Sequence, residues 1–329
     1  MAMKVLLTGA TGFLGQNLLP ILQKDYETIG FKSADYDLRF PHDSSSLLSY
    51  IRPDVIVHAA GTVGGIGANK QNPGKFMYEN LIMGSNIIHA AMKAKISKFI
   101  LIGTVCAYPK HTPVPFQEKD LWNGYPEETN APYAIAKKTL MRLLEAYHEQ
   151  YNMKGINLIP VNMYGPHDHF NLTSSHVIPA LILKVDQAIK ESNKSITLWG
   201  TGQASREFLY APDCAEAIKL SIEKDISPDP INIGTGKEIK ICELIETIAD
   251  IMGFDGIINY DNSKPDGQPR RCLDTSKARD LLGFEAKTTL RQGLISTIKW
   301  FKNNLNKKSS WENFSDDILS ELGIDNGGE

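Results

Sequence analysis

Apolar residues in the first half of the chain alternate between short continuous runs and longer stretches with a helical period. The short runs have the length of buried strands and cover residues 4–7, 28–31, 54–60, 98–102 and 156–161. Between them apolar residues recur three and four positions apart, most clearly over 76–94 and 132–151. This alternation predicts an α/β fold with a doubly wound parallel sheet.

A glycine-rich turn follows the first predicted strand and opens the first predicted helix. Its glycines are three residues apart, a variant of the dinucleotide-binding fingerprint. Glycine permits a tight turn and a close backbone approach to a pyrophosphate, and the helix N-terminus offers N–H groups to the anion. The fold is then of the Rossmann type, and the predicted cofactor contacts in the turn are Gly9, Thr11, Gly12, Phe13, Leu14 and Gly15.

The second predicted strand ends where the adenosine ribose lies in such folds. An NAD-preferring site usually has a carboxylate there, but this chain has Lys32 and no carboxylate before Asp35. Lys32 could neutralise a 2′-phosphate, which favours NADP over NAD, although an ordinary solvated lysine explains the position nearly as well. The remaining predicted cofactor contacts are Asp37 and Leu38 near the adenine, and Ala59, Ala60 and Gly61 after the third strand.

Beyond about residue 165 the alternation is less regular. Helices are predicted over 177–190, 241–252, 276–282 and 290–304, with another opened by Pro212, and short strands over 196–199, 207–210 and 231–233. We therefore predict a dinucleotide-binding domain over 1–165, a smaller, mainly substrate-binding α/β domain over 166–306, and a polar tail over 307–329 with one peripheral helix. A segment near 206–235 could return to the first domain.

Composition excludes several classes of function. The 329 residues are 42% hydrophobic and carry a formal net charge of −3, which gives no reason to expect nucleic acid or a membrane surface as partner. No apolar run approaches the ~20 residues that span a bilayer. The first strand begins at once, leaving no room for a signal peptide, and four scattered cysteines suit a reducing compartment, so we expect a cytoplasmic protein. His167, His169 and His176 lack further ligands at metal-binding spacing, so no metal is expected.

Tyr133 and Lys137 lie one turn apart on the predicted helix that Asn130 and Pro132 open. An ammonium beside a phenol stabilises the phenolate, which would lower the pKa of Tyr133 and make it a usable acid. Such a pair is usually a surface contact. With the glycine turn, however, it resembles the extended short-chain dehydrogenase/reductases. In that family the Lys binds the nicotinamide ribose, and a Ser or Thr after the fourth strand, here Thr104, polarises a carbonyl.

Longer blocks are similar to the GDP-L-fucose synthase family, from the first strand to about residue 303. They include residues 63–66, 105–109, 164–168, 175–181, 198–202, 206–209 and 264–267. The resemblance implies a homodimer in which the helices 76–94 and 132–151 pair. It also implies conversion of a GDP-4-keto-6-deoxy-mannose by epimerisation at C3 and C5 and reduction at C4 with NADPH.

The resemblance assigns roles to particular residues. A 4-keto group acidifies both neighbouring carbons, and inversion needs a base on one face and an acid on the other, at positions matched by Cys106 and His176. Tyr133 and Thr104 would stabilise the enolate oxygen, after which Tyr133 protonates the alkoxide. Otherwise, such a Cys is usually a small buried hydrophobe and such a His a cap. The implied substrate contacts are Lys184 and Arg206 on the diphosphate, Asn162 and Trp199 in the pocket, and, as a weaker candidate, Arg271.

The chain departs from the family pattern in three ways, at four positions. Thr104 and Val105 replace two serines, His169 replaces an Asn, and Thr11 replaces an Arg that faces the 2′-phosphate. The first two leave the sugar open, and the third weakens the preference for NADP over NAD. The alternatives are a C4 reductase of a related GDP-4-keto-hexose or heptose without full epimerase activity, and a non-catalytic NADP-sensing protein.

Overall fold

The computed structural model describes residues 2–172, 174–263 and 267–304. The predicted tail helix lies outside them. The strands are β1 (Lys4–Thr8), β2 (Glu27–Gly30), β3 (Val55–His58), β4 (Lys98–Ile102), β5 (Gly155–Pro160), β6 (Asn162–Tyr164), β7 (Ser195–Trp199), β8 (Ser205–Tyr210), β9 (Pro230–Ile233), β10 (Glu238–Lys240) and β11 (Ile257–Asp261). The helices are α1 (Phe13–Leu22), α2 (Pro41–Ile51), α3 (Ile66–Gln71), α4 (Pro73–Lys93), α5 (Ala131–Tyr151), α6 (Val177–Lys190), α7 (Ala211–Ile222), α8 (Ile241–Met252), α9 (Ser276–Leu282) and α10 (Leu290–Asn304).

Six parallel strands form the central sheet in the order β2-β1-β3-β4-β5-β9. The strands β1, β3, β4 and β5 are almost wholly buried, as expected for a parallel sheet covered by helices on both faces. Because β1 pairs with β2 on one side and β3 on the other, the strand order reverses there, and such a switch point is where these folds bind ligands. The predicted doubly wound α/β fold is confirmed.

The second half adds two small sheets around a separate apolar cluster. One has the order β10-β8-β6, and the other pairs β7 with β11. Side chains from α6, α8 and α10 pack together against these strands. In contrast, β9 returns to the central sheet beside β5. At β6 the chain passes from the apolar cluster of the central sheet, which contains Val161, to the second cluster, which contains Tyr164.

The predicted helices over 177–190, 241–252, 276–282 and 290–304 have the same bounds in the structure. The strands β6, β10 and β11 and the helices α2 and α3 were not predicted. Two of these strands have only three residues, and three consecutive serines obscure the apolar period of α2. Within the described residues, no helix is long and apolar enough to cross a membrane.

Candidate active site

The glycine turn lies at the switch point between β1 and β3. Gly9 has φ +71°, and a Cβ there would lie 2.7 Å from the backbone nitrogen of Ala60. A Cβ on Gly15 would lie 2.0 Å from the carbonyl oxygen of Gly9. The turn, the start of α1 and the end of β3 are therefore in direct backbone contact, which no larger residue permits.

The first turn of α1 forms the floor of this cradle. Gly12 precedes the helix with an extended backbone and has no side chain to cap it, so the N–H groups of Phe13 and Leu14 can serve an anion. The packing of Gly9 and Gly15 leaves this helix end open to a pyrophosphate. The residues present therefore fit a bound dinucleotide.

Thr8 and His58 form a buried pair at the switch point. Thr8 Oγ1 lies 2.8 Å from His58 Nδ1 and accepts a hydrogen bond of 3.1 Å from the backbone N–H of Ala60. Burial, and secondarily the charge of Lys137, lowers the pKa of His58 to about 3, so its imidazole is neutral. This pair fixes the ends of β1 and β3 relative to each other.

The predicted contacts for the adenosine end lie after β2. Lys32 is exposed, with its backbone N–H donating to Asp35 at 3.2 Å. The carboxylate of Asp37 forms an ion pair of 2.7 Å with Arg39, which lowers the pKa of Asp37, while Leu38 is buried in the core. Lys32 is thus a solvent-exposed cation after β2, where the sequence predicts the 2′-phosphate.

Lys137 reaches the carboxyl ends of β3 and β4. Its Nζ donates to the carbonyl oxygen of Ile102 at 3.2 Å, and burial lowers its pKa to about 8. A Cβ at Gly61 would lie 3.5 Å from this Nζ and 2.8 Å from Oδ1 of Asn80. The Asn80 amide holds the same loop by bonding both backbone groups of Thr62. Gly61 therefore leaves room in which Lys137 can meet a ligand.

Thr104, Cys106 and Tyr133 form one cluster just past β4. Thr104 caps a 3₁₀ turn over Val105–Ala107, and its Oγ1 accepts a hydrogen bond of 3.2 Å from the backbone N–H of Cys106. The hydroxyls of Thr104 and Tyr133 share a further hydrogen bond, and Cys106 is close enough to act electrostatically on Tyr133. The sequence prediction that these three residues lie together agrees with this geometry.

The pKa of Tyr133 differs from the sequence expectation. Burial raises this pKa, a negative charge on Cys106 would raise it further, and the hydrogen bond to Thr104 only partly opposes these effects. The expected lowering by Lys137 is wrong for this structure, because the ammonium of Lys137 donates to the carbonyl of Ile102 and the desolvation of the phenol dominates.

A second group of predicted residues lies around β8. Asn162 on β6 donates to the carbonyl oxygen of Glu207 at 3.2 Å, and Arg206 on β8 donates to that of Ser205 at 2.7 Å. The segment that carries Arg271 runs beside β8, since the carbonyl of Arg271 accepts from the N–H of Glu207 at 3.1 Å. Arg271 also reaches the first cluster, with Nη1 lying 3.7 Å from Sγ of Cys106. Arg271 therefore connects the two groups.

Lys184 and Trp199 lie together further out. The Nζ of Lys184, on α6, donates to the carbonyl oxygen of Thr197 at 2.6 Å, two residues before Trp199 at the end of β7. Trp199 is 75% exposed, which is unusual for so large an aromatic side chain. Burial lowers the pKa of Lys184. Both residues are accessible to a ligand.

His176 immediately precedes α6, opposite the loop after β3. The segment before it is tied to that loop, because the N–H of Gly65 donates to the carbonyl of Ser174 at 2.9 Å. His176 is exposed to solvent, yet protein atoms crowd its ring, and this burial, followed by the nearby His169, lowers its pKa. The start of α6, with His176, therefore lies beside the loop after β3.

The sequence of this chain matches those of known proteins. A family model described as the NAD dependent epimerase/dehydratase family matches residues 5–234. The chain belongs to this family. Two curated relatives align with almost the whole of this chain. The GDP-L-colitose synthase of Yersinia pseudotuberculosis is 39% identical, covering 92% of this chain and 99% of the relative. The GDP-L-fucose synthase of Escherichia coli (strain K12) is 38% identical, covering 92% and 97%.

A solved structure has the same fold over the same length. The crystal structure of a GDP-L-fucose synthetase from Naegleria fowleri bound to NADP superimposes with a TM-score of 0.85 at 28% identity, covering 92% of this chain and 95% of that one. Together with the curated relatives, it confirms the resemblance to the GDP-L-fucose synthases that the motifs predicted.

Sequence analysis did not identify three residues that hold the candidate site in place. Asn80 holds the loop after β3, and Gln268 holds the guanidinium of Arg271 at 3.0 Å. Glu207 is fully buried and accepts hydrogen bonds from the backbone N–H groups of Gly236 (2.8 Å) and Leu273 (2.7 Å). A carboxylate inside an apolar strand pattern was the available signal for Glu207, since buried acids are rarely unpaired.

Within the described residues, no group of three or more His, Cys, Asp or Glu side chains is arranged to hold a metal ion.

Proposed function

We propose that the chain is an NADPH-dependent epimerase/reductase that acts on a GDP-linked 4-keto-6-deoxy sugar. Relatives named as GDP-L-fucose and GDP-L-colitose synthases support the substrate class, and the NADP-bound structural neighbour supports the cofactor. The observation that carries the proposal is the cluster after β4, where the paired hydroxyls of Thr104 and Tyr133 lie beside the thiol of Cys106. A reductase or sensor alone would not need the thiol.

In this proposal, the cofactor site is formed by residues of this chain. The glycine turn and the first turn of α1 would hold the pyrophosphate, Lys32 the 2′-phosphate and Lys137 the nicotinamide ribose. When bound, NADPH supplies the hydride that reduces C4 of the sugar. The opening left by Gly61 beside Lys137 supports this placement.

For epimerisation, the thiolate of Cys106 removes a proton from a carbon next to the ketone. The electron pair of the broken C–H bond moves to the ketone oxygen, where Tyr133 and Thr104 donate hydrogen bonds to the developing charge. His176 then protonates the same carbon from the other face, which inverts it. The bond from Gly65 to the carbonyl of Ser174 holds the segment before His176 against the loop after β3, which supports a place for His176 at the site.

For reduction, Tyr133 protonates the oxygen on C4. Burial raises the pKa of Tyr133, so the phenol keeps its proton until a strongly basic alkoxide forms next to it. Lys137 keeps a positive charge below pH about 8 and stabilises the phenolate that remains. The same hydroxyl thus serves the enolate first and the alkoxide afterwards.

The sugar nucleotide would lie between the two groups of residues. Arg206 and Lys184 would contact its phosphates, and Asn162 and Trp199 would line its pocket, with Arg271 near the reacting carbons. The proposal also includes a cytoplasmic homodimer that pairs through α4 and α5, and a division into domains near residue 165. Tyr78 on α4 and Tyr151 on α5 are exposed aromatic side chains that support such pairing.

The test is NMR analysis of the product formed in D₂O from NADPH and GDP-4-keto-6-deoxy-mannose, within a panel of GDP-4-keto hexoses and heptoses. We expect inverted C3 and C5 centres that carry solvent deuterium, together with a reduced C4. Reduction with neither inversion nor deuterium at C3 and C5 would refute the epimerase half. A substrate left unreduced across the panel would refute the function.

A further inference from the structure

The Arg271 guanidinium is directed at the Cys106 thiol. Nη1 of Arg271 lies 3.7 Å from Sγ of Cys106, within donor range for sulfur. The other two nitrogens of the guanidinium bond a single neighbour. Nη2 and Nε both donate to Oε1 of Gln268, at 3.0 and 3.3 Å. Gln268 is itself fixed by donating to the carbonyl oxygen of Lys110 at 2.8 Å. The direction of Nη1 is therefore set by a chain of hydrogen bonds.

The backbone at Arg271 is held from both sides. Its carbonyl accepts from the N–H of Glu207 on β8, and two residues later the N–H of Leu273 donates to the Glu207 carboxylate at 2.7 Å. On the other side, the carbonyl of Cys272 accepts from the N–H of Phe116 at 2.8 Å. The Arg271 side chain thus starts from a rigid base, which reduces the entropy lost in holding it against the thiol.

The preceding residue provides a natural comparison. Arg270 is 61% exposed at its side chain and forms an ion pair with Glu238 on β10. Its charge is already compensated by the carboxylate of Glu238. Only one of these two consecutive arginines therefore carries its charge to the cluster after β4.

We propose that Arg271 keeps Cys106 in the thiolate form and thereby makes it a base. This inference rests on the proposed role of Cys106 in epimerisation. An isolated thiol is mostly protonated at neutral pH, and a neighbouring guanidinium favours the thiolate. In the step itself, the sugar C–H bond breaks and an S–H bond forms, while the electron pair of the C–H bond moves to the ketone oxygen. Besides Arg271, the phenol of Tyr133 faces the thiol, and it is neutral in this range.

The experiment measures alkylation of Cys106 by iodoacetamide in the protein alone, followed by peptide mass spectrometry. For Arg271→Gln we expect an about threefold lower rate at neutral pH. A tenfold loss of thiolate is partly offset by about threefold from the greater nucleophilicity of a more basic thiolate. At alkaline pH, Cys106 is ionised in both the variant and the original chain. The variant should then react at least as fast as the original chain. A change in packing or access would not make the variant slower at neutral pH and equally fast or faster at alkaline pH.

Three controls accompany the measurement. Arg271→Lys keeps the charge and should stay close to the original rate, whereas Arg270→Gln should leave it unchanged at every pH. Cys242, which is also half-buried, reports general changes in the same sample. Equal neutral-pH rates for Arg271→Gln and the original chain, or slowing by the same factor at every pH, would overturn the inference. Because neither sugar nor cofactor is present, the result is independent of the product analysis.

Discussion

The proposed cofactor end and the proposed sugar end of the site are built in different ways. At the cofactor end, Gly9, Gly12 and Gly15 lie within one turn of chain, and backbone packing determines the shape. At the sugar end, side chains from distant segments meet, and Arg271 contacts Cys106 across 165 positions of sequence. A site shaped by backbone packing should lose binding when a side-chain atom is added. A site built from distant side chains should lose function when one of their anchoring contacts is removed. Separate variants should therefore disable the two ends independently.

The largest expected effect is at the cofactor end. Gly15→Ala would place a Cβ 2.0 Å from the carbonyl oxygen of Gly9, so α1 must move away from the turn. We expect the dissociation constant for NADPH to rise at least about 100-fold and the free energy of unfolding to fall by about 3 kcal/mol. Fluorescence titration and urea denaturation measure the two effects.

Gly74→Ala is the matched control for that substitution. Gly74 lies in the first turns of α4, where an added Cβ meets nothing within 4 Å. It should leave NADPH binding unchanged and stabilise the protein slightly, by about 0.5 kcal/mol. An unchanged affinity for NADPH in Gly15→Ala would contradict the proposed position of the cofactor.

The next effect is at the sugar end. In Glu207→Gln, an amide N–H₂ replaces one of the two oxygens that accept from the backbone of Gly236 and Leu273, so donor faces donor. We expect the free energy of unfolding to fall by about 2 kcal/mol and sugar turnover to fall about tenfold. NADPH affinity should stay within about twofold of the original.

Glu238→Gln is the control for Glu207→Gln, because it weakens the exposed ion pair to Arg270 and should change stability by less than about 1 kcal/mol. If NADPH affinity fell in parallel with turnover in Glu207→Gln, the two ends would not be independent.

An effect on stability of similar size and opposite sign is expected at Lys137, and this prediction concerns stability only. Burial lowers its pKa to about 8 from the ordinary 10.5, so at neutral pH the folded chain holds a buried charge that the unfolded chain hydrates. At ~1.4 kcal/mol per pKa unit this costs up to about 3 kcal/mol, and loss of the bond to the Ile102 carbonyl takes back about 1. Lys137→Met should therefore raise the free energy of unfolding by about 2 kcal/mol at neutral pH.

The sign of the pH dependence sharpens this prediction. Between about pH 8 and 10.5 the unfolded chain binds the proton on Lys137 while the folded chain does not, so the original chain gains stability as pH rises. The advantage of Lys137→Met should shrink over the same interval. Urea denaturation at neutral pH and near pH 10 measures this change. Burial also lowers the pKa of Lys98 to about 8, but Lys98 is present in both proteins, so its contribution cancels in the comparison. A pH-independent difference would count against the buried charge.

The elements that form the proposed cofactor end were largely predictable from the sequence because their signals are local. The glycine turn, the helix that begins near Pro132 and the position of Thr104 each depend on a few consecutive residues. The pKa of Tyr133 was not predictable, since it depends on how deeply α5 packs and on which carbonyl Lys137 meets.

Contacts at the sugar end depend on tertiary packing, which single-sequence patterns do not encode. Arg271 could be proposed as a substrate contact by resemblance, but its approach to Cys106 requires knowing that residues 268–273 run beside β8. Likewise, Glu207 gives no periodic signal that identifies its backbone partners.

The central claim is that one pair of hydroxyls, on Tyr133 and Thr104, holds the ketone oxygen during both proton removal and hydride transfer. The most direct measurement is deuterium uptake at C3 and C5 of the keto sugar in D₂O without NADPH, comparing Tyr133→Phe with the original chain. We predict that uptake falls at least about 100-fold, together with C4 reduction measured separately, while NADPH binding is retained. Uptake at the original rate in a variant that no longer reduces C4 would contradict the claim.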